Sequence, residues 1–202
     1  MSEIIELPEG PFEIIYADPP WKYRDKAAAG KRGADFKYDT MRLADIKAMP
    51  VEEIAAKDAF LFMWITMPFL PKAEEVMNAW GFKYVTCGFN WIKGNKKATD
   101  TFFWGGGSYT RSNSELCLLG KRGRPKVQSH SVHQVVFEPV REHSRKPDVI
   151  RDRILELCGD IPRVELFARQ KTPGWASIGD GISGKDITEE LKEISKKIGK
   201  GL

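Results

Sequence analysis

The chain has 202 residues, of which 42% are hydrophobic and 11% aromatic, and this predicts a single domain over residues 1–202 with a substantial core. Its formal net charge of +4 is consistent with a nucleic-acid partner but is too small to establish one. No apolar run approaches the roughly 18 residues of a membrane span, so a transmembrane segment is excluded.

The cysteines and the N-terminal sequence bear on the compartment in which the protein is expected to reside. The three cysteines lie far apart and form no CxxC pair, so neither a metal site nor a redox motif is expected (Cys87, Cys117 and Cys158). An odd number of scattered thiols suggests a reducing environment. The acidic N-terminal stretch MSEIIELPEGPFE lacks the apolar core of a signal peptide. We therefore expect a cytoplasmic protein.

The first half of the sequence predicts three apolar strands and one helix. Phe12 to Ala17 reads as a buried strand, and the polar, glycine-containing residues 22–41 predict a loop. Further strands are expected over 59–65 and over 82–92, where Gly88 is a candidate bulge. Between these two strands, apolar residues recur at helical spacing (Leu70, Ala73, Met77 and Trp80).

The second half predicts three more strands, two helices and two irregular segments. Residues 93–112 lack apolar periodicity and predict a long insertion, and residues 121–132 predict a basic loop. Pro147 is expected to begin a helix, and Asp186 to cap an amphipathic helix over 186–198. The strands are expected over 114–120, 133–139 and 163–169.

This alternation predicts an α/β fold, with a mostly parallel twisted sheet and helices on both of its faces. In such sheets, ligands bind beyond the carboxyl ends of the strands. Asp18 and Arg169 each lie where a predicted strand ends. We therefore expect the two residues to line one crevice.

The stretch Asp18-Pro19-Pro20-Trp21 predicts a rigid edge of hydrogen-bond acceptors. A lone Asp-Pro is at least as often only a turn, but four such residues together are more specific. Each proline fixes its own φ and lacks an N–H, so the backbone presents carbonyl oxygens without competing donors. Asp18 and the Pro19 carbonyl could each accept one hydrogen of a planar amino group and stabilise the charge that grows as its nitrogen attacks a methyl group. Trp21 would be a flat apolar wall for the ring that carries this amino group, and this chemistry needs neither a nucleophilic side chain nor a metal.

These residues resemble the DPPW-type N(6)-adenine methyltransferase family, which uses S-adenosylmethionine (SAM). That family includes bacterial and phage DNA methylases and the catalytic subunit of the messenger-RNA m6A writer. The resemblance covers residues 12–182 and implies a Rossmann-like class I methyltransferase fold. Its further motifs follow in the family's order: YDTM (38–41), FLFMWIT (60–66), WGF (80–82), NWIK (90–93), SELCLLGKRG (114–123), HSRKPD (143–148) and ELFAR (165–169).

The resemblance also implies roles for individual residues. Asp18 and Pro19 would hold the target amino group, with Asp18 near the methionine end of SAM, and Pro20 and Trp21 would shape the base pocket. Tyr38 matches an aromatic residue that closes over the adenine, although an ordinary loop tyrosine is the alternative.

The cofactor residues implied by the resemblance lie in the last third of the chain. Lys146 would bind the SAM carboxylate and Arg169 the ribose. Asp180 stands where the family usually has asparagine. The family's messenger-RNA members bind the SAM adenine with residues well upstream of Asp-Pro-Pro-Trp, so Gly181 and Ile182 are our own candidates for that contact and are not implied by the resemblance. Glu115 matches a family acid, for which a structural hydrogen bond is at least as reasonable as catalysis.

Three basic segments could hold the nucleic acid, because an enzyme that acts on a base must take it out of the stack or use a single strand. They are residues 22–41, 93–112 and 121–132, with Lys96 and Lys97 in the second and Arg122 and Arg124 in the third. In the second, the lysines lie close to aromatic residues, a combination typical of single-strand binding. Its glycines at 105–107 predict a flexible hinge. Solvated surface is the alternative for each segment, and it is our interpretation of the lysines on the C-terminal helix.

Three functions compete at this point. The leading hypothesis is SAM-dependent N(6)-methylation of adenine in DNA, in the cytoplasm of a bacterial cell or a phage-infected host. The compact chain without RNA-binding modules favours DNA over the first alternative, the same reaction on RNA. The second alternative, a catalytically inactive nucleic-acid-binding subunit, is disfavoured because Asp18 and Lys146 are both present. The oligomeric state, monomer or homodimer, stays open.

Overall fold

The computed structural model describes residues 10–22, 40–98, 100–106, 109–142 and 145–200. In chain order the described elements are β1 (Phe12–Ala17), α1 (Leu43–Lys47), α2 (Val51–Ile54), β2 (Ala55–Ile65), a 3₁₀ helix (Met67–Lys72), α3 (Ala73–Ala79), β3 (Lys83–Gly94), β4 (Ser114–Arg122), β5 (Val135–Pro139), α4 (Val149–Cys158), β6 (Arg163–Leu166), β7 (Ala176–Ile178), α5 (Asp180–Ser183) and α6 (Ile187–Lys200).

The strands form one seven-stranded sheet in the order β5-β3-β4-β2-β1-β6-β7. All neighbouring strands pair in parallel except β4, which is antiparallel to both β2 and β3. The six parallel strands therefore end at one edge of the sheet, called the carboxyl edge below, and β4 begins there. The opposite edge is called the amino edge.

Helices cover both faces of this sheet. One core cluster joins the sheet to α1, α2, α3 and α6, and a second joins it to α4. The central strands are apolar on both sides, as parallel strands between two helical layers must be. Trp64 on β2 is about 1% exposed and belongs to the second cluster, whereas its neighbour Met63 belongs to the first. The predicted α/β fold, with a mostly parallel sheet and a Rossmann-like arrangement, is confirmed.

Several predicted elements have the expected bounds. β1 spans the predicted residues, and the register of β3 with β4 shifts between Cys87 and Phe89, so the bulge at Gly88 is confirmed. The Asp186 carboxylate accepts the N–H groups of Thr188 and Glu189, at 2.9 Å and 3.2 Å, and so caps α6 as predicted.

Other bounds differ from the prediction, and each difference has a physical reason. β2 begins at Ala55 because it follows α2 directly, and its first four residues are not fully buried. The predicted strand 163–169 ends at Leu166, because Phe167 adopts a left-handed φ of 62°. The short elements β7 and α5 carry too little periodicity to be predicted.

Candidate active site

The carboxyl edge gathers charged side chains that are far apart in the sequence. Asp18 follows β1, Lys93 is near the end of β3, and Glu115 is the second residue of β4. Glu115 reaches this edge only because β4 runs antiparallel. Lys146 lies in the connection between β5 and α4. Asp18 and Arg169, which the sequence predicts to share one crevice, both line the cleft at this edge.

These four side chains form a row of alternating charges. Lys146 Nζ lies 2.7 Å from Asp18 Oδ2 and 3.4 Å from Glu115 Oε2. Lys93 Nζ lies 2.5 Å from the other Glu115 oxygen, Oε1. Lys146 also lies over the Trp64 ring, 5.3 Å from its centroid, which adds a cation–π contact. Each carboxylate in the row therefore has a cation beside it.

The pKa values of the row follow from burial and from these neighbours. Burial raises the pKa of Asp18, and Lys146 reduces the rise without cancelling it. Burial alone would raise the pKa of Glu115, but Lys146 and Lys93 hold it below its ordinary value. Burial opposes the charge of Lys146, yet Asp18 and Glu115 together raise its pKa. Lys146 therefore stays protonated at neutral pH, beside a carboxylate of increased basicity.

The Asp-Pro-Pro-Trp turn is held by hydrogen bonds that the sequence did not predict. The Trp21 backbone N–H donates to the Pro19 carbonyl at 2.9 Å, and the Met41 N–H donates to the Pro20 carbonyl at 2.8 Å. The expectation of carbonyl groups without competing donors is therefore wrong for this turn. One lone pair of the Pro19 oxygen remains for another donor, since a carbonyl oxygen accepts two hydrogen bonds.

Trp21 is a buried residue that fixes the turn. Its ring stacks on Phe69, with centroids 5.3 Å apart, and its indole N–H donates to the Trp64 carbonyl at 3.2 Å. Only about 4% of Trp21 is exposed. Its predicted role as a wall for the base stays a prediction, and its contacts show that it anchors the turn to β2.

A cleft of about 220 Å³ opens beside Asp18 at the carboxyl edge. Three of the predicted cofactor residues line it, namely Asp18, Lys146 and Arg169. The other lining residues are Tyr16, Glu142, Arg145, Asp148, Arg151, Glu165, Phe167 and Gln170. The left-handed backbone at Phe167 is a strained conformation at this site.

The remaining predicted cofactor residues lie next to the cleft. Asp180, Gly181 and Ile182 form the start of α5, directly after β7. A Cβ atom at Gly181 would lie 3.6 Å from the Arg169 carbonyl oxygen, so this turn packs close to the Arg169 backbone. None of the three residues lines the cleft itself.

A network of arginines and acids, which sequence reasoning missed, supports Lys146. Arg141 donates to the Lys146 carbonyl at 3.1 Å and to Asp148 at 2.6 Å, and so holds the backbone on both sides of Pro147. Arg151 makes a bidentate ion pair with Glu165, at 2.6 Å and 2.8 Å. The signal that could have found the network is the alternation of arginine and acid between residues 141 and 153.

The structure separates the predicted substrate-binding residues. Lys96 and Lys97 are exposed and follow β3 at the carboxyl edge. Arg122 and Arg124 lie at the amino edge, about 26 Å along β4 from its first residue at roughly 3.3 Å per residue. Tyr38 and most of the 22–41 loop lie outside the described residues.

Arg122 and Arg124 are not brought together with Asp18, and the direction of β4 is the reason. Arg122 instead donates to the Glu52 carbonyl at 2.9 Å, and the Arg124 backbone N–H donates to Asp58 at 2.6 Å. These contacts fasten the 121–132 segment to α2 and to the first residues of β2. Roughly the length of β4 therefore separates these arginines from the edge at which Asp18 lies.

Within the described residues, no group of three or more histidine, cysteine, aspartate or glutamate side chains is placed to hold a metal ion. No helix in the same part of the chain is long and apolar enough to cross a membrane.

Comparison with known proteins gives one consistent result. The MT-A70 family matches residues 12–181. The Type II methyltransferase M.MunI of Mycoplasma sp is 31% identical, over 90% of this chain and 82% of its own length. A putative N(6)-adenosine-methyltransferase MT-A70-like protein of Medicago truncatula is also 31% identical, but over only 28% of its length. The human N(6)-adenosine-methyltransferase catalytic subunit METTL3 is 27% identical, over 29% of its length.

The match spans the Asp-Pro-Pro-Trp turn, the Lys93–Glu115 pair, Lys146 and Arg169, so the resemblance stated from the motifs is confirmed. This chain belongs to the MT-A70 family of N(6)-adenine methyltransferases.

Proposed function

We propose that this protein transfers a methyl group from SAM to the N(6) amino group of adenine in DNA, with Asp18 as the residue that holds the amino group. The observation that carries this proposal is the position of Asp18. Its carboxylate lies at the carboxyl edge, is followed by two prolines, and is held by Lys146 at 2.7 Å. A preorganised acceptor beside a ligand cleft is what the reaction requires.

The cleft fits the amino-acid end of SAM. That end carries a carboxylate, an ammonium group and a sulfonium, and the cleft is lined by both cations and carboxylates. Arg145 and Lys146 are candidates for the carboxylate, and Asp18 and Glu142 for the positive groups. When bound, the cofactor supplies an electrophilic methyl group.

The cleft is smaller than the roughly 300 Å³ of an ordinary ligand pocket, so it would not enclose the whole cofactor. The turn Asp180-Gly181-Ile182 lies next to Arg169 and extends the site in that direction. We assign the ribose to Arg169 and Asp180, and the adenine of SAM to Gly181 and Ile182.

Asp18 and Pro19 act on the target base. The Asp18 carboxylate accepts one N–H of the adenine amino group, and the second lone pair of the Pro19 carbonyl accepts the other. The positive charge that grows on the nitrogen is stabilised by the carboxylate, whose raised pKa makes it a stronger acceptor. After transfer, Asp18 is placed to take the proton that the nitrogen loses.

Lys146, Glu115 and Lys93 position Asp18. Lys146 lies between the two carboxylates, and Lys93 balances the second of them. Without Lys93, the pair Asp18 and Glu115 would share one cation and repel each other. The row therefore keeps Asp18 ionised and fixed in orientation.

The choice of DNA over RNA is supported by the similarity to the Type II methyltransferase, which is 31% identical over 90% of this chain and 82% of its own length. RNA is the second candidate, because the N(6)-adenosine-methyltransferases of Medicago truncatula and human have a comparable identity to this chain, 31% and 27% over the matched region.

The test is incubation with tritiated SAM and matched DNA and RNA oligonucleotides, each single-stranded and duplex, followed by nucleoside analysis. We expect N(6)-methyldeoxyadenosine from DNA. Label only in N(6)-methyladenosine would assign the activity to RNA. No label in either nucleoside, from protein that binds SAM in calorimetry, would favour the inactive subunit.

A further inference from the structure

Three aromatic side chains at the carboxyl edge are exposed although they contact one another. Phe102 is 49% exposed, Trp104 60% and Phe137 41%. The Phe102 ring lies 5.9 Å from that of Trp104 and 5.5 Å from that of Phe137, both in edge-to-face geometry. We call these three residues the aromatic platform.

The backbone holds the platform in place. Phe102 forms a β-bridge with Gly94 at the end of β3, and the Phe103 N–H donates to the Lys93 carbonyl at 2.8 Å. Asn95 donates to the Thr101 hydroxyl and to the Phe102 carbonyl, at 2.8 Å and 2.9 Å. The rings therefore stand on a hydrogen-bonded turn, with Phe137 supplied by the edge strand β5.

The charges around the platform favour an anionic partner. Residues 95–112 contain three cations, Lys96, Lys97 and Arg111, and one anion, Asp100. Cations interleaved with exposed aromatic rings are the pattern of single-strand nucleic-acid sites, in which bases stack on the rings and the cations follow the backbone. Lysine is depleted from interfaces between proteins, which makes a second copy of this chain the poorer fit.

We propose that the aromatic platform stacks unpaired bases that flank the target adenine, so that the protein binds single-stranded or locally opened nucleic acid. This inference rests on the proposed function for the identity of its target base. Four strand spacings separate β5 from β1, or about 19 Å at roughly 4.8 Å each. Several nucleotides of a single strand, at about 3.4 Å each when stacked, would join the platform to Asp18.

Trp104 provides a built-in probe for this contact. The chain has six tryptophans, and the other five are at most 5% exposed. Emission that is accessible to iodide therefore comes mainly from Trp104. The experiment titrates the full chain with a single-stranded adenine-containing oligodeoxynucleotide and with the duplex of the same sequence, while recording tryptophan emission and fluorescence anisotropy of a labelled strand.

We expect the single strand to quench Trp104 and protect it from iodide more than the duplex does. Phe102→Ala and Trp104→Ala should each weaken single-strand binding by about 5- to 150-fold, the range for loss of one stacked base. Trp104→Phe should retain most of the affinity. Tyr84→Ala is the matched control, because Tyr84 is 47% exposed on the part of β3 that pairs near the amino edge, and it should leave the affinity unchanged.

Three results would overturn the proposal. The first is single-strand affinity that is unchanged in both alanine variants, and the second is equal quenching of Trp104 by single strand and duplex. The third is a change in Trp104 emission that accompanies dimerisation of the protein, as detected by sedimentation, where the dimer is lost in Trp104→Ala. The tritiated-SAM assay on the same oligonucleotide separates this proposal from the proposed function. Stacking without methyl transfer would support the aromatic platform and contradict the proposed function. Methyl transfer without stacking would support the proposed function and contradict the platform.

Discussion

The segment after β3 and the segment after β4 are both basic, yet they lie at opposite edges of the sheet. Lys96 and Lys97 follow a strand that ends at the carboxyl edge, beside the charged row and the aromatic platform. Arg122 ends a strand that runs the other way and Arg124 follows it, and their contacts are with Glu52 and Asp58. Basic composition alone does not identify a binding surface, because strand direction decides which edge a segment occupies.

The charged side chains at the two edges also differ in what they contact. At the carboxyl edge, Lys93 and Lys146 lie beside the Glu115 and Asp18 carboxylates. The exposed Lys96 and Lys97 follow β3 at the same edge. At the amino edge, Arg122 donates to the Glu52 backbone carbonyl of α2 and pairs with the Glu52 carboxylate at 3.5 Å. The first group is arranged around a cleft, and the second fastens a loop.

The largest expected difference between the edges concerns one acid from each. Asp18→Ala should lower the rate of methyl transfer by at least about 100-fold, the usual cost of removing one preorganised group that stabilises developing charge. Asp58→Ala, at the amino edge, should leave the rate unchanged. The measurement is single-turnover transfer from tritiated SAM at saturating oligonucleotide, with circular dichroism to confirm that both variants fold.

Asp18→Asn makes the test finer, since it keeps one acceptor but adds a donor and removes the charge. It should also be severely impaired. Transfer at the wild-type rate by either Asp18 variant would overturn the proposed mechanism.

The next effect concerns SAM. Lys146→Ala should weaken SAM binding by about 10- to 150-fold, because a hydrogen bond to a charged group contributes roughly 1.5–3 kcal/mol. Lys121→Ala, an exposed lysine of β4 at the amino edge, is the control and should bind SAM normally. Calorimetry measures both. Unchanged SAM affinity with slower transfer would assign Lys146 to the support of Asp18 alone.

These effects bear on how far the sequence predicts the molecule. The buried strand β1 and the cap of α6 follow from local patterns, an apolar run and an aspartate two residues before the first bonded N–H. The antiparallel direction of β4 is not local. It depends on how β4 packs between β2 and β3, so the placement of Arg122 and Arg124 could not be read from their neighbours.

The contacts within the site are likewise not predicted by local sequence. Motifs identify Asp18 and Lys146, but their contact joins residues 128 positions apart. The motif around Glu115 names no partner for it, and the composition of residues 93–112 groups Lys93 with a basic loop although it is part of β3. The available signal is a lysine near the end of one predicted strand and a glutamate near the start of the next. Pairing them needs the register that sets Trp91 opposite Glu115.

A smaller effect concerns salt. Lys96→Ala/Lys97→Ala should weaken nucleic-acid binding and flatten its salt dependence, by about 0.7–0.9 in the slope of log affinity against log salt for each phosphate that the variant no longer binds. Arg122→Ala/Arg124→Ala should give a line parallel to that of the wild type. Fluorescence anisotropy over a salt series measures the slopes.

The amino-edge variant should change stability instead of binding. Loss of the Arg122 hydrogen bond to the Glu52 carbonyl should lower the free energy of unfolding by about 1 kcal/mol. A flattened salt dependence in the Arg122 and Arg124 variant would show that nucleic acid reaches the amino edge. If both double variants kept the wild-type slope of log affinity against log salt, the nucleic-acid contacts would have to be sought in the 22–41 segment.

The smallest effect is a shift in the pH dependence of transfer. In the proposed mechanism Asp18 acts as a carboxylate, and burial raises its pKa, so the rate should fall on acidification at a pH above the ordinary aspartate value of about 3.9. Lys146 lowers this pKa and Glu115 raises it. Lys146→Met should therefore move the acidic midpoint to higher pH, and Glu115→Gln should move it to lower pH. Glu52→Gln, at an acid of the amino edge, should leave the midpoint in place.

Single-turnover rates at saturating SAM and oligonucleotide give the midpoints without interference from binding. Shifts in the same direction for the first two variants, or an equal shift for Glu52→Gln, would show that the acidic limb does not report the Asp18 carboxylate within this row of charges.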